Sequence, residues 1–192
     1  ITFLRDSVVA ALESEQANKR LATAVQNAGE AFSFTFAQLK DSASVLQGQS
    51  IFSNEQIEGA QKVLVQMRLT GEQFRETQQL ALDMAADLGK SPVQAAKTLA
   101  QALADPEKAM LVLRRAGISL SESTRHQIEE LSALGDSYGA QQALLADLTK
   151  TYEGASAAAA NTATGGWAQM LNTLEDLKGN LGEAVLPFLK EM

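Results

Sequence analysis

The residue types that most often carry chemistry are scarce in this 192-residue sequence. It has no cysteine and one histidine, His126, which excludes thiol nucleophiles, zinc ribbons, iron–sulfur clusters and multi-histidine metal sites. His126 follows Arg125, and no neighbour in the sequence would orient or activate it as a base. Asp83 and Asp87 are four residues apart, the spacing of neighbours on one helix face. Because no third carboxylate or histidine joins them at helical spacing, we expect a solvated acidic face.

The remaining candidates also lack the partners that a site would need. Glu129 and Glu130 are adjacent and therefore point in different directions on a helix. The pair Gly165-Gly166 has no following lysine and no preceding strand, so it does not fit a phosphate-binding loop. The sequence thus predicts no catalytic, cofactor-binding or metal site, and no cofactor. With 16 basic and 23 acidic residues the net charge is −7, which disfavours direct or sequence-specific binding to nucleic acid.

Signals for helix starts and stops alternate along the chain. Five segments fit the Ser/Thr-x-x-Glu/Gln capping box, at 35–38, 53–56, 70–73, 91–94 and 119–122. Asp105 is a further N-cap, followed by proline at the first helical position. Gly89, Gly117 and Gly135 each follow an apolar stretch, as left-handed C-terminal caps do.

These signals and the apolar spacing predict an all-α fold, a compact bundle of short capped helices flanked by longer N- and C-terminal helices. We expect helices at 2–28, 36–47, 54–69, 71–88, 92–104, 106–116, 120–134, 137–152 and 167–190. One segment alternates with period two, Phe32-Ser-Phe-Thr-Phe36. It fits either a short strand or a hydrophobic staple before the next helix.

The chain divides into four expected segments. They are an N-terminal helix (1–28), a central helical domain (29–152), an Ala/Gly-rich connector (153–166) and an amphipathic C-terminal helix (167–192). The first has a heptad of apolar residues interrupted by Glu15 and Asn18, which fits an amphipathic surface helix or a coiled coil. Residues 154–174 carry no charge. Their length would suit a membrane span, but their small and polar residues favour a flexible connector.

The C-terminal helix contains the candidate self-association seam. Its residues are Trp167, Met170, Leu174, Leu177, Leu181 and Phe188. Four of these are seven residues apart and the others fill the second heptad position, the pattern of a coiled coil. Against this, Gly179 and Gly182 each weaken a helix by about 1 kcal/mol. The alternative is that the helix docks on the central domain and buries the stripe there.

Several blocks of the sequence carry a family resemblance. They include 51–64, 81–89, 95–103 and above all Asp105-Pro-Glu-Lys-Ala109, which leads into Leu113-Arg-Arg-Ala-Gly-Ile-Ser-Leu-Ser121. A Gly135-Asp136 turn, a Gln/Leu-rich helix and Gly165-Gly-Trp167 follow. From about residue 29 to 190 the chain resembles the tail tape-measure proteins of long-tailed bacteriophages and prophages, in the lambda-like branch. Arg114-Arg115-Ala116 departs from the residues usual in relatives, so no site is carried over there.

The resemblance implies a structural protein and not an enzyme. Such proteins lie inside the tail, set its length during assembly, and are expelled ahead of the DNA at infection, where they help the genome across the host envelope. The implied partners are other copies of the chain, tail tube and tail tip proteins, a tail assembly chaperone and a host envelope protein. The implied locations are the tail interior of the virion, the host cytoplasm during assembly and the host envelope on infection.

Two questions stay open at this point. A ruler would be an extended helix rising about 1.5 Å per residue, whereas capped short helices predict a folded domain. The segment is then either a folded module outside the extended ruler helix or a stretch that unfolds and extends inside the tail tube. The rival functions are a helical adaptor or chaperone-like binding domain, and a cell-wall hydrolase module. Both ends of the sequence read like cuts through a longer chain.

Overall fold

The computed structural model describes residues 2–29, 32–67, 69 and 71–190, with the helical side chains at 2, 4 and 186–190 omitted. The described residues form ten α-helices and no strand, which confirms the all-α prediction. The helices are α1 (Thr2–Ala28), α2 (Phe36–Gln49), α3 (Asn54–Gln66), α4 (Gly71–Leu88), α5 (Pro92–Ala104), α6 (Pro106–Arg115), α7 (Glu122–Ala133), α8 (Ser137–Tyr152), α9 (Ala155–Ala160) and α10 (Ala163–Lys190).

Local capping explains most of these boundaries. Complete capping boxes begin α2 at Thr35, α3 at Ser53 and α5 at Ser91, as the sequence predicts. In each, the cap hydroxyl accepts from the backbone N–H of a glutamine whose side chain returns to the cap N–H. The carboxylate of Asp105 accepts from the Lys108 N–H and begins α6. The box predicted at Thr70 lies outside the described residues.

The start predicted for α7 is wrong by two residues. The N-cap is Ser121, not Ser119, because the Ser121 hydroxyl accepts from the Thr124 N–H at 3.2 Å. The loop before α7 is held by contacts with other parts of the molecule. Ile118 is buried, and the Ser121 N–H donates to Asp147 of α8 at 3.0 Å. Long-range contacts thus favour Ser121, although only Ser119 has a glutamate three residues later.

Glycine ends α6 and α7 as predicted. Gly117 (φ +86°) and Gly135 (φ +76°) adopt the left-handed conformation that other residues rarely tolerate. The next residue then donates back into the helix, Ile118 N–H to Leu113 O at 2.9 Å and Asp136 N–H to Leu131 O at 2.8 Å. These closures cap the last carbonyls and turn the chain sharply.

One hydrophobic core joins α1 to α8. It includes Leu21 of α1, Leu64 of α3, Leu82 of α4, Leu99 of α5 and Leu144 of α8, each at most 1% exposed. Helices α3, α4 and α5 pack on one another at its centre, and α1, α2, α6 and α8 surround them. Among the described side chains, α9 and α10 contribute none to this core.

The segment before α2 is irregular, not a strand. Its rings Phe32 and Phe34 each lie 5.2 Å from the ring of Phe74 on α4, and the guanidinium of Arg75 lies 5.1 Å from the Phe34 ring. The alternation of phenylalanines therefore reflects an aromatic cluster that packs the entrance to α2 onto α4.

Residues 153–166 are more ordered than a flexible connector. They contain α9, and α10 begins at Ala163 rather than at the predicted 167. No side chain of its own caps α9, whose N-cap is Gly154. Instead the carboxylate of Asp83 on α4 accepts from the Ser156 N–H at 2.9 Å and from its hydroxyl at 2.6 Å. Because the cap comes from a distant helix, local sequence does not reveal α9.

Candidate self-association surface

The predicted seam is exposed along α10. Trp167 is 60% exposed, Leu177 54% and Leu181 50%. Met170 and Leu174 are 43% and 46% exposed. Leu171 lies beside them and is also exposed. The side chain of the sixth seam residue, Phe188, lies outside the described residues. At about 1.5 Å per residue, the seam from 167 to 188 runs for about 32 Å along the helix.

The side of α10 away from the seam contacts the rest of the molecule. The amide of Gln169 donates to the carbonyls of Gly48 (3.2 Å) and Ser50 (3.1 Å), and the amide of Asn172 donates to Ile51 O at 3.3 Å. The carboxylate of Asp176 accepts from the Gln47 side chain. These contacts hold the first half of α10 against the end of α2 and the loop that follows.

The second half of α10 packs on the first half of α1. Gly182 is buried there, and a Cβ at this position would overlap the carbonyl of Ser7 and reach 2.8 Å from Ala11 Cβ. Further along, Ser14 of α1 and Gly179 of α10 line the same cavity, so the two helices run antiparallel. Gly182, expected only to weaken the helix, is what lets the two backbones approach so closely.

α10 therefore docks on its own chain but does not bury its apolar stripe there. At 100° per residue, Gln169, Asn172 and Asp176 lie on the side of the helix opposite Leu174 and Leu181, whereas Gly182 lies at the edge of the stripe, about 80–100° from these two leucines. The sequence offered docking and self-association as alternatives, but docking on one face leaves the seam free on the other. The stripe is exposed from Trp167 to Leu181, over about 21 Å, and an exposed apolar stripe is typical of an interaction surface.

A cavity of about 500 Å³ beside the α1–α10 contact is strongly acidic. It is lined by Glu13, Glu55, Glu58, Glu175, Asp176 and Glu183, with Lys40 as its cation. Glu58 is buried, 3.7 Å from the Lys40 ammonium. Burial raises the pKa of Glu58, and the nearby Lys40 opposes that rise.

The residues first considered for catalysis do not meet in one place. Asp83 is buried at 2% exposure, so the predicted solvated acidic face is wrong for it, whereas Asp87 is exposed. The reason is the bond from Asp83 to Ser156 of α9, which no local pattern encodes. Asp83 thus holds α9 in place, and its carboxylate is occupied in doing so.

His126 and Gly165 also have structural surroundings. His126 is exposed, and its Nδ1 lies 3.7 Å from Glu129 one turn along α7. Gly165 is buried in the first turn of α10, where a Cβ would overlap the carbonyl of Ala159. Within the described part of the chain, no group of three or more His, Cys, Asp or Glu residues could hold a metal ion.

The uncharged stretch at 154–174 divides between α9 and the first half of α10. Among the described residues, no helix combines the length and the apolar character that crossing a bilayer requires.

Comparison with protein families decides where the chain belongs. The family model of the prophage tail length tape measure protein matches residues 5–129, which is more than half of the chain. The chain belongs to this family. The match runs from α1 into α7 of this tape-measure protein and contains the Asp105–Ser121 block. It begins 24 residues before the start at 29 that the resemblance suggested.

The tape-measure assignment gives the chain a structural role in the phage tail, and places it in the tail of the virion. α10 and its seam follow the matched range. No curated protein and no solved structure gave a significant match.

Proposed function

We propose that this chain is a segment of a tape measure that sets tail length during assembly, and that copies of it associate through the seam on α10. In this proposal it lies in the tail interior with other copies, tail tube proteins and tail tip proteins, after a tail assembly chaperone has held it in the host cytoplasm. It leaves ahead of the DNA at infection and helps the genome pass the host envelope, where it meets a host envelope protein.

The observation that carries the self-association is the orientation of α10. The helix uses hydrogen-bonding and small residues to dock on its own chain, and it exposes its leucine, methionine and tryptophan side chains. Burying such side chains is worth about 1.5–3 kcal/mol each, so an exposed row of them favours association. The seven-residue spacing fits a second helix of the same kind, because heptads interlock with heptads.

The experiment places charges in the seam. In Leu174→Asp/Leu181→Asp, two carboxylates stand where the seams of two copies would meet, and desolvating them is costly. We expect the unchanged chain to form oligomers in sedimentation at increasing concentration, and the double variant to be monomeric. The melting temperature of the monomer should hardly change, since both leucines are exposed in the monomer.

A matched control is available on the same helix. Thr173→Asp/Asn180→Asp adds two charges with the same seven-residue spacing at exposed positions beside the stripe. We expect this variant to keep the oligomer. An unchanged chain that stays monomeric at high concentration, or a control that dissociates as fully as the seam variant, would contradict association through the seam.

A further inference from the structure

A close contact joins two points that are far apart in the chain. Ser7 of α1 lies against Gly182 of α10, about 175 residues later in the sequence. In one continuous α-helix these residues would be about 260 Å apart, at about 1.5 Å per residue. Packed helices instead lie about 8–10 Å axis to axis. The fold thus brings the two ends of a long segment side by side.

The antiparallel direction of α1 and α10 makes this a closed loop. The chain enters the domain along α1 and leaves along α10 in the reverse direction, at the same end of the pair. Two globular domains joined in line would place entry and exit at opposite ends. Here the path from Ser7 to Gly182 leaves the axis of entry and returns to it.

Two groups of contacts keep the loop closed. The first is the core shared by α1 to α8, which holds Leu21 of α1 among side chains from the whole central domain. The second is a set of hydrogen bonds from α9 and α10 to the central domain. It joins Gln169 to the loop after α2, Asp176 to Gln47, and Ser156 of α9 to Asp83. We expect the loop to open by breaking the hydrogen bonds of α9 and α10 first, while the core of α1 to α8 stays packed.

We infer that residues 8–181 form a folded module of the tape measure that adds almost nothing to tail length. We call this module a length-neutral loop, because the chain enters and leaves it at neighbouring points. The inference rests on the proposed function, because it supposes that the chain sets length. In the assembled tail the module adds roughly one helix-packing distance where an extended helix would add about 260 Å. The inference therefore favours the folded module over the extended stretch.

The test uses cross-linking in assembled tails. Since the chain has no cysteine, Gln47→Cys/Asp176→Cys introduces one reactive pair across the loop. In the phage whose tail carries this chain, we expect a short bismaleimide to join the pair within one molecule in purified tails. In an extended helix these positions would be about 190 Å apart, beyond any such reagent.

The matched control pair is Gln16→Cys/Arg20→Cys, one turn apart on the exposed side of α1. The reagent joins this pair whether the chain is folded or an extended helix, so cross-linking of the pair shows that the reagent reaches the chain. Cross-linking of the control without cross-linking of positions 47 and 176 would overturn the loop. Absence of the chain from purified tails would instead contradict the proposed function.

Tail length gives a second, independent readout. Replacing residues 29–162 with a short Gly/Ser linker removes α2 to α9 and keeps α1, α10 and its seam in a continuous chain. We expect tails of unchanged length, measured by electron microscopy. Tails shortened by about 200 Å would show that the residues count along the ruler and would overturn the inference.

Discussion

Two glycines in α10 have opposite roles. A Cβ at Gly179 would meet nothing within 4 Å, whereas one at Gly182 would overlap the backbone of α1. Gly179→Ala should therefore stabilise the fold by about 0.5–1 kcal/mol through helix propensity alone. Gly182→Ala gains the same propensity but forces α10 away from Ser7, and overpacking of this kind costs about 1–3 kcal/mol.

Thermal unfolding of the two variants measures this contrast. We expect the melting temperature to rise for Gly179→Ala and to fall for Gly182→Ala. Equal and positive shifts would mean that α10 does not pack closely on α1.

Glu58 gives the fold a predictable dependence on pH. Its pKa is raised in the folded state by burial, so the folded state holds the proton more tightly than the unfolded state does. The stabilisation is fully present below the ordinary glutamate pKa and is lost as pH rises through the raised value. Glu58→Gln cannot lose a proton, so its stability relative to the unchanged chain should improve from about pH 4 to about pH 7.

The measurement is the melting temperature of both proteins across that pH range. Glu76→Gln, at an exposed position on α4, controls for the loss of one surface charge and should follow the unchanged chain. A difference between Glu58→Gln and the unchanged chain that stays constant with pH would show that Glu58 is not desolvated by folding.

At the scale of single helices, the start of α7 separates two nearby serines, of which only Ser119 fits the Ser/Thr-x-x-Glu/Gln pattern. Ser121 caps the helix and Ser119 is exposed in the loop before it. Ser121→Ala should cost about 1 kcal/mol, the usual effect of removing an N-cap, and Ser119→Ala should be close to neutral. Chemical denaturation of the two variants measures both values. A larger cost at Ser119 would restore the original capping-box prediction.

Helix α10 differs from the others in how it is held. Among the described side chains, the first eight helices contribute to the core, whereas α10 is held by hydrogen bonds, small residues and close packing against α1. Hydrogen bonds that could equally form to water add about 0.5–1.5 kcal/mol each, less than a buried leucine. α10 is therefore bound firmly enough to be oriented, but more weakly than the central helices.

For the molecule as a whole, this difference predicts the order of opening. We expect amide hydrogen exchange to be fastest in α9 and α10, faster in the first half of α1 than in its second half, and slowest in α3 to α5. Leu21, in the second half of α1, is buried in the core, whereas Ser7 and Ala11 in the first half lie against Gly182 of α10. Peptide-resolved exchange measured by mass spectrometry tests this order. Protection of α10 equal to that of α4 would mean that loop and core open together.

Much of the fold could be predicted because its signals are local. A capping box spans four residues and a glycine stop acts within one turn, so Ser53, Ser91, Asp105 and Gly117 mark helix boundaries that the sequence predicts without knowledge of distant contacts. The heptad on α10 is equally readable, because its spacing alone places the seam residues on one side of a helix.

What the tertiary structure decided depends on residues distant in the chain. Asp83 caps α9 from 73 residues away, and Asp147 helps to select Ser121 over Ser119. The carbonyl of Ser7 turns Gly182 from a weakness of α10 into a requirement. The sequence by itself determined which stripe of α10 is apolar. Only packing determined that this stripe faces outward, because the face that docks was set by the shape and hydrogen-bonding groups of α1 and the loop after α2.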